Sequence, residues 1–303
     1  MSLVELLIGV LLGATATSGA LAAFAAGSAS YHTSQAQGRL NERAQYLLSS
    51  LVADVQLAGY FGLNSAGFLA APESPPGDSR LCGAGHMSRW AHAVEVQDDT
   101  WRLPCPAQGA GAMPGSDVLT LRRASARLAG REPGRLQVLT SLTNAAARRL
   151  LVMAPLPAGT VLGAGHSELR DLLMHTYYVA RAADGSDSAQ PALRVKSLTS
   201  IAGRPAFVDT EVMPGVEDLQ IEAGYHDPAG AALRFVTPDA LPANATVVAL
   251  RLLLRLRAEQ PDPRHVDRRR YRYAGRDFAP ADHYHRLLLD QTVLLRNARA
   301  SGP

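Results

Sequence analysis

Lysine is nearly missing from this chain: Lys196 stands alone among 30 basic residues, the rest being arginine. The arginines are spread among 27 acids and leave a formal net charge of +3, so the balance does not mark a nucleic-acid surface. One basic cluster does occur, Arg268, Arg269, Arg270 and Arg272 with Tyr271 and Tyr273 interleaved. No nucleic-acid motif surrounds it, and a solvated turn or strand edge accounts for it. Cysteine is almost as rare: Cys82 and Cys105 cannot complete a zinc site by themselves and form no Cys-x-x-Cys pair. Catalytic signatures are missing as well, with no Gly-x-Ser-x-Gly, phosphate-binding loop or His-Glu-x-x-His. The 9 histidines are scattered; only His283 and His285 lie close enough to share a strand face, and a metal there needs a further ligand from a distant segment. Asp184 and Asp187 lie around Gly185 without the remaining spacing of a calcium loop, and hairpin-turn chemistry explains them. Asn244-Ala245-Thr246 reads as a chance glycosylation sequon. The expectation is a chain with no catalytic residue, no metal and no cofactor.

Charge is also missing from the N-terminal region. Between Glu5 and Arg39 no charged residue occurs, and residues 6–26 supply roughly 20 mostly apolar residues, about 30 Å of helix, enough to span a bilayer core. A secretory signal peptide would open on a basic region with a shorter apolar core, whereas here an acid stands first. A plain anchor would carry Lys or Arg at its cytoplasmic end. A buried core helix would not explain a terminal run with no flanking partner sequence. An ionised carboxylate one turn inside such a helix costs several kcal/mol unless it is paired. The terminal amine is the only positive charge within reach, so we expect the Glu5 carboxylate of one copy to pair with the Met1 ammonium of the next when helices stack in an apolar bundle.

Met1-Ser2-Leu3-Val4-Glu5-Leu6-Leu7 resembles the mature N-terminus of type IV pilins and pseudopilins. In that class a prepilin peptidase cuts after a glycine, the new first residue is N-methylated and an acid lies at the fifth position, which Glu5 matches. The resemblance implies that the chain as given is the processed form and that Met1 is the methylated residue; many pilins have Phe there, and an apolar side chain is retained. A start codon at Met1 is the alternative.

From Arg39 the apolar positions Leu40, Ala44, Leu47, Leu48, Leu51, Val55 and Ala58 recur every three or four residues, while Asn41, Glu42, Arg43 and Asp54 face elsewhere. One helix over about residues 2–58 is predicted, loosened near residues 27–30, its second half lying against a sheet, with Gly59 and Gly62 as the stop. Asp54-Val55-Gln56-Leu57-Ala58-Gly59-Tyr60-Phe61-Gly62 narrows the resemblance to PilW-type minor pilins; in many of those a cysteine follows, where Leu63 stands here. Residues 64–115 are rich in Pro, Gly and Ala and read as a long loop region. With the head exported to an oxidising compartment, Cys82 and Cys105 are expected to form one disulfide closing that loop.

Strands are predicted at residues 116–123, 135–140, 150–153, 171–181, 193–198, 215–225 and 246–257, the last half-buried because arginines 251, 255 and 257 alternate with leucines. Residues 284–297 are strand or helix by pattern, and the resemblance settles them as strand. Asp117-Val118-Leu119-Thr120-Leu121, Tyr177-Tyr178-Val179, Gly215-Val216-Glu217-Asp218-Leu219-Gln220 and Leu295-Arg296-Asn297 all resemble PilW-type minor pilins, in the same order.

The reading is therefore an α+β, pilin-like fold, a long N-terminal helix packed on an antiparallel sheet with long loops. Residues 1–27 form its transmembrane or filament-core half, 28–60 its amphipathic half, 61–115 the disulfide-containing loops and 116–303 a β-rich head. The resemblance implies a low-copy subunit, not an enzyme, that primes pilus assembly and serves twitching motility. It would sit as a single-pass inner-membrane protein with a periplasmic head, then at the pilus tip on the cell surface. The implied partners are other minor pilins, the major pilin, the inner-membrane assembly platform, prepilin peptidase and, where one is carried, a tip adhesin; nucleic acid is not a primary ligand. The alternatives are a J-type minor pseudopilin of type II secretion and a membrane-tethered periplasmic domain with no filament role.

Overall fold

The computed structural model describes residues 2–64, 81–89, 92–141, 148–152, 167–183, 190–227, 232–243 and 245–298. Met1, Asp184 and Asp187 with the hairpin turn expected there, and the sequon's Asn244 lie outside them. Two compact units appear, residues 1–43 and 44–303.

The first helix, α1 (Leu3–Leu57), holds 55 residues without a proline. It is helical through Gly27 and Ser28, so the loosening expected there is absent: a glycine costs about 1 kcal/mol relative to Ala, and the Ala-rich turns around it outweigh that. The helix stops where Gly59 takes a left-handed φ of 78°, a conformation natural to glycine at a helix end. A Cβ there would also stand 3.0 Å from the Ala93 Cβ. The outgoing backbone is then captured by the sheet, Gly59 N–H donating to Arg122 O at 3.0 Å and Ala124 N–H to Tyr60 O at 2.6 Å.

Within the second unit, Ala44, Leu47, Leu51, Val55 and Ala58 are buried, the face the three-four spacing marks. Asp54 does not face elsewhere as expected; it is 6% exposed and bonded into the sheet.

Seven antiparallel strands make the first sheet: β1 (Val94–Gln97), β2 (Val118–Ala124), β3 (Gln137–Ser141), β4 (Arg148–Val152), β5 (Ser167–Ala180), β6 (Ala192–Ile201) and β7 (Arg204–Pro214). At 14 residues β5 is long enough to pair with three neighbours: β3 through residues 167–171, β2 through 172–177 and β6 through 175–180. Against it packs an apolar cluster that includes Phe61, Met87, Leu136, Leu172 and Met174. The region 64–115 is not pattern-free: it holds β1 and a short helix, α2 (Ala84–Ser88). Four residues of mixed polarity give β1 too brief an alternation to stand out, and its pairing with β2 supplies the stability that propensity does not. Strand β7 escaped the sequence pattern for a related reason. Among the described residues it pairs with β6 alone, on one edge, and its sides are unevenly exposed.

The second sheet runs in the order β13-β10-β8-β9, from β8 (Val216–His226), β9 (Leu233–Val236), β10 (Val247–Arg257) and β13 (Arg286–Leu294). A separate hairpin, β11 (Tyr271–Tyr273) and β12 (Arg276–Phe278), turns through Ala274 and Gly275, both at positive φ as the favoured two-residue turn requires. β10 is more buried than a half-buried strand: it lies between β8 and β13, and Leu250, Leu252, Leu253, Leu254 and Leu256 are all buried. Part of the arginine-bearing side is covered as well, Arg255 packing beneath Phe278 at 3.6 Å from the ring centre while the Arg251 side chain stays 39% exposed. The β11–β12 hairpin, from farther along the chain, turned part of a polar strand face into an interior one.

Candidate assembly site

In the first unit, Leu3–Ala25 is 23 residues long, apolar enough to cross a membrane, and unburied. Leu3, Val4, Leu11, Leu12, Leu21 and Phe24 are all more than half exposed. Such a surface is far larger than a soluble chain leaves uncovered. The polar residues inside the run do not spoil it: Thr15 Oγ1 donates to Leu12 O at 3.0 Å, Thr17 Oγ1 to Gly13 O at 2.7 Å and Ser18 Oγ to Thr15 O at 2.9 Å. Each hydroxyl proton is thus returned to the helix's own backbone, the arrangement a hydrocarbon surrounding demands.

Glu5 sits in the first turn and has a local bond the sequence reading did not anticipate. Ser2 N–H donates to Glu5 Oε2 at 2.9 Å, and Glu5 N–H donates to Ser2 Oγ at 3.3 Å. Ser2-x-x-Glu5 is therefore a reciprocal capping box, which satisfies two of the four backbone donors that a helix start leaves open. The Ser-x-x-Glu spacing that signals such a box is present in the sequence, immediately before the apolar run. Met1, the expected partner of a neighbouring copy's Glu5, lies outside the described residues.

The second unit is held by buried polar residues. Asp54 accepts from Arg123 Nε at 3.0 Å and Tyr177 O–H at 3.1 Å, with His175 Nδ1 at 2.7 Å, tying the helix to β2 and β5. Burial would raise this carboxyl, but the bond and charge of His175 and those of Arg123 outweigh it and hold the group below its ordinary value. Asn297 Nδ2 donates to Ala58 O at 3.2 Å, closing an open carbonyl at the helix end from the far end of the chain. Cys82 and Cys105 are joined by a disulfide, their Cα atoms 4.6 Å apart, and Trp101 Nε1 donates to Cys105 O at 2.9 Å within the loop it closes.

Asp117 joins the two sheets: its backbone N–H donates to Leu219 O at 2.8 Å, and its carboxylate accepts from Asp99 N–H at 2.9 Å and Ile221 N–H at 2.8 Å. Burial foremost pushes it up to about 7. Asp98, Asp99 and Asp117 bring carboxylate oxygens within 4.8 Å of one another, close enough to hold a metal ion, but the Arg276 guanidinium already lies on Asp99 and supplies the positive charge. His283 and His285 do not converge. His283 Nδ1 faces His265 O at 2.6 Å, while His285 is buried, stacks on His265 at 3.9 Å and meets Asp262 at 3.2 Å.

An open cleft of about 560 Å³ lies beside Glu217, Asp218, Arg255, Tyr273, Arg276 and Phe278. Its charges are spoken for: Arg255 Nε donates to Glu217 Oε2 at 2.9 Å, Arg286 Nε to the same oxygen at 2.8 Å and Tyr273 O–H to Asp218 Oδ2 at 2.6 Å.

Residues 176–297, from within β5 to the asparagine that caps α1, match the family described as PilW, Type IV Pilus-assembly protein W. No curated protein and no solved structure matches the chain. The family match supports a type IV pilus-related protein, and the structure itself is α+β, with an N-terminal apolar helix and antiparallel sheets.

Proposed function

We propose that this chain is a minor pilin of a type IV pilus: a low-copy structural subunit, not an enzyme, that helps prime assembly and lies at or near the filament tip. The observation that carries the reading is the unburied apolar helix Leu3–Ala25 with a single acid in its first turn, on a chain whose residues 176–297 resemble a pilus-assembly family. Such a helix is stable only in lipid or against other apolar helices. A filament built around a bundle of helices supplies both environments in turn: the inner membrane before assembly, with the head in the periplasm, and the filament core afterwards. Glu5 then pairs with the N-methylated Met1 of a neighbouring copy, an interaction that rewards correct register because an unpaired carboxylate in the bundle is costly. The partners are other minor pilins, the major pilin and the inner-membrane assembly platform, with prepilin peptidase acting on the N-terminus.

Mass spectrometry of filaments sheared from cells carrying the native gene tests this. The expected result is the chain in the pilus fraction with a methylated peptide beginning at Met1. A processed chain confined to membranes, with pili intact when the gene is deleted, would overturn it in favour of a J-type secretion pseudopilin. An unprocessed chain would leave only a tethered domain.

A further inference from the structure

We propose that the segment 264–272 is a polyanion-binding surface that holds the phosphate backbone of nucleic acid without reading its sequence. Arg264, Arg268, Arg269 and Arg270 are all exposed on this short stretch, and Arg272 beside them is 70% exposed. Several arginines elsewhere in the head meet carboxylates, Arg123 with Asp54, Arg194 with Asp209, Arg251 with Asp290 and Arg255 with Glu217. Among the described residues the exposed Arg127, Arg131 and Arg204 do not, but they lie apart along the chain, whereas here the arginines crowd one short segment. Here the nearby acids are already committed. Asp267 is 1% exposed and accepts from Tyr271 O–H at 2.8 Å and from Arg286. Asp282 takes Arg286 at 2.6 Å, Asp277 takes Arg272 at 2.9 Å and Asp262 faces His285. Arg264, Arg268, Arg269 and Arg270 are left with no carboxylate within 4.0 Å among the described residues.

The backbone under these arginines is fixed before any ligand arrives. Asp267 N–H donates to Asp282 O at 2.8 Å, Arg269 N–H to Asp267 Oδ1 at 3.1 Å, and β11 is paired with β12. Tyr271 and Tyr273 turn inward, their hydroxyls bonded to Asp267 and Asp218, so no ring of this segment is free to stack on a base. What remains exposed is a group of arginine side chains close together in the sequence, whose planar forks suit phosphate oxygens. Four neighbouring cations match a polymer with a phosphate on every unit better than a single small anion. The only large apolar side chain strongly exposed on the segment is Val266, at 43%, too little to bury in a bilayer, which favours a nucleic-acid backbone over a lipid surface.

The test is fluorescence anisotropy with a short labelled DNA duplex and the full-length chain in detergent. Each neutralised phosphate contributes about −0.9 to the slope of log affinity against log salt, so four contacts give a slope of about −3.6 and roughly a 150-fold loss between about 50 and 200 mM salt. The triple substitution Arg268→Gln/Arg269→Gln/Arg270→Gln should flatten the slope to about −0.9, roughly a 3-fold loss over the same range. Arg268→Lys/Arg269→Lys/Arg270→Lys should retain most of it. The charge-matched control Arg127→Gln/Arg131→Gln/Arg204→Gln, also exposed, should behave as wild type. No duplex binding at low salt, or an equal loss in the control, overturns the proposal; binding of polyglutamate but not of duplex overturns it in favour of an acidic protein partner.

Discussion

Replacing Glu5 by Gln separates two duties that one carboxylate can perform. The side chain closes a capping box with Ser2 through bonds of 2.9 and 3.3 Å, and in the proposed filament it also pairs with a neighbouring N-terminus. Glutamine at the third helical position keeps the box, because its side-chain oxygen accepts the Ser2 N–H as the carboxylate does. It removes the charge. Alanine removes both. Loss of the cap alone costs about 1 kcal/mol, roughly a fivefold effect, whereas breaking a desolvated ion pair while its partner stays buried costs about 3–5 kcal/mol. The lower figure is roughly 150-fold in an incorporation equilibrium. Measured as the ratio of filament-bound to membrane-held chain by quantitative mass spectrometry, Glu5→Gln and Glu5→Ala should both fall by about 100-fold or more. Ser2→Ala should fall only about fivefold. Should Glu5→Gln incorporate like wild type while Glu5→Ala fails, capping is the whole of the residue's role and the pairing argument is wrong.

Asp54→Ala strands Arg123, His175 and Tyr177 and should cost about 3 kcal/mol, lowering the head's melting temperature by about 6–12 °C. Asp54→Asn should cost less, and because the folded carboxyl is held below its ordinary 3.8, its deficit should shrink as pH falls below about 4; a pH-independent deficit would refute the ionic account. The pair Cys82→Ser/Cys105→Ser releases a loop with a sequence separation of 23 and should lose about 3 kcal/mol by thermal or denaturant unfolding. Asp117 works in the opposite sense. Its folded value near 7 lies above the unfolded 3.8, so its contribution to stability falls as pH rises between about 4 and 7, and the stability difference between wild type and Asp117→Asn should decline across that window. A difference that rises with pH would refute the assignment.

The elements whose origin is local were legible in the sequence. The apolar run, the three-four spacing that buries Leu47, Leu51 and Val55, and the glycine stop at Gly59 depend on near neighbours and on backbone geometry, and they appear where the pattern puts them. What escaped depends on contacts that no window along the chain contains. Asp54 looks like a solvent-facing acid until β2 and β5 bring Arg123 and His175 to it across 69 and 121 residues. Arg255 looks like the wet side of a strand until the β11–β12 hairpin closes over it. Ser2 is the exception, a strictly local signal that was available and was missed.

The residues that carry the family resemblance turn out to share a physical role. Asp54 fastens helix to sheet, Gly59 permits the chain to leave the helix, and Gly62 at φ 75° sits where a Cβ would press to 2.9 Å from Arg170 Nε. Asp117 and Gln220 bond the first sheet's approach to β8, Glu217 gathers Arg255 and Arg286, Tyr178 O–H reaches Asp209 at 2.7 Å, and Asn297 closes the helix end. Each fixes one element against another at a buried or half-buried position, where an unpaired polar group would cost more than the bond returns. A sequence signature made of such groups specifies a rigid head. In the pilus subunit proposed above, rigidity of that kind would hold the head's surfaces in a fixed register for its neighbours.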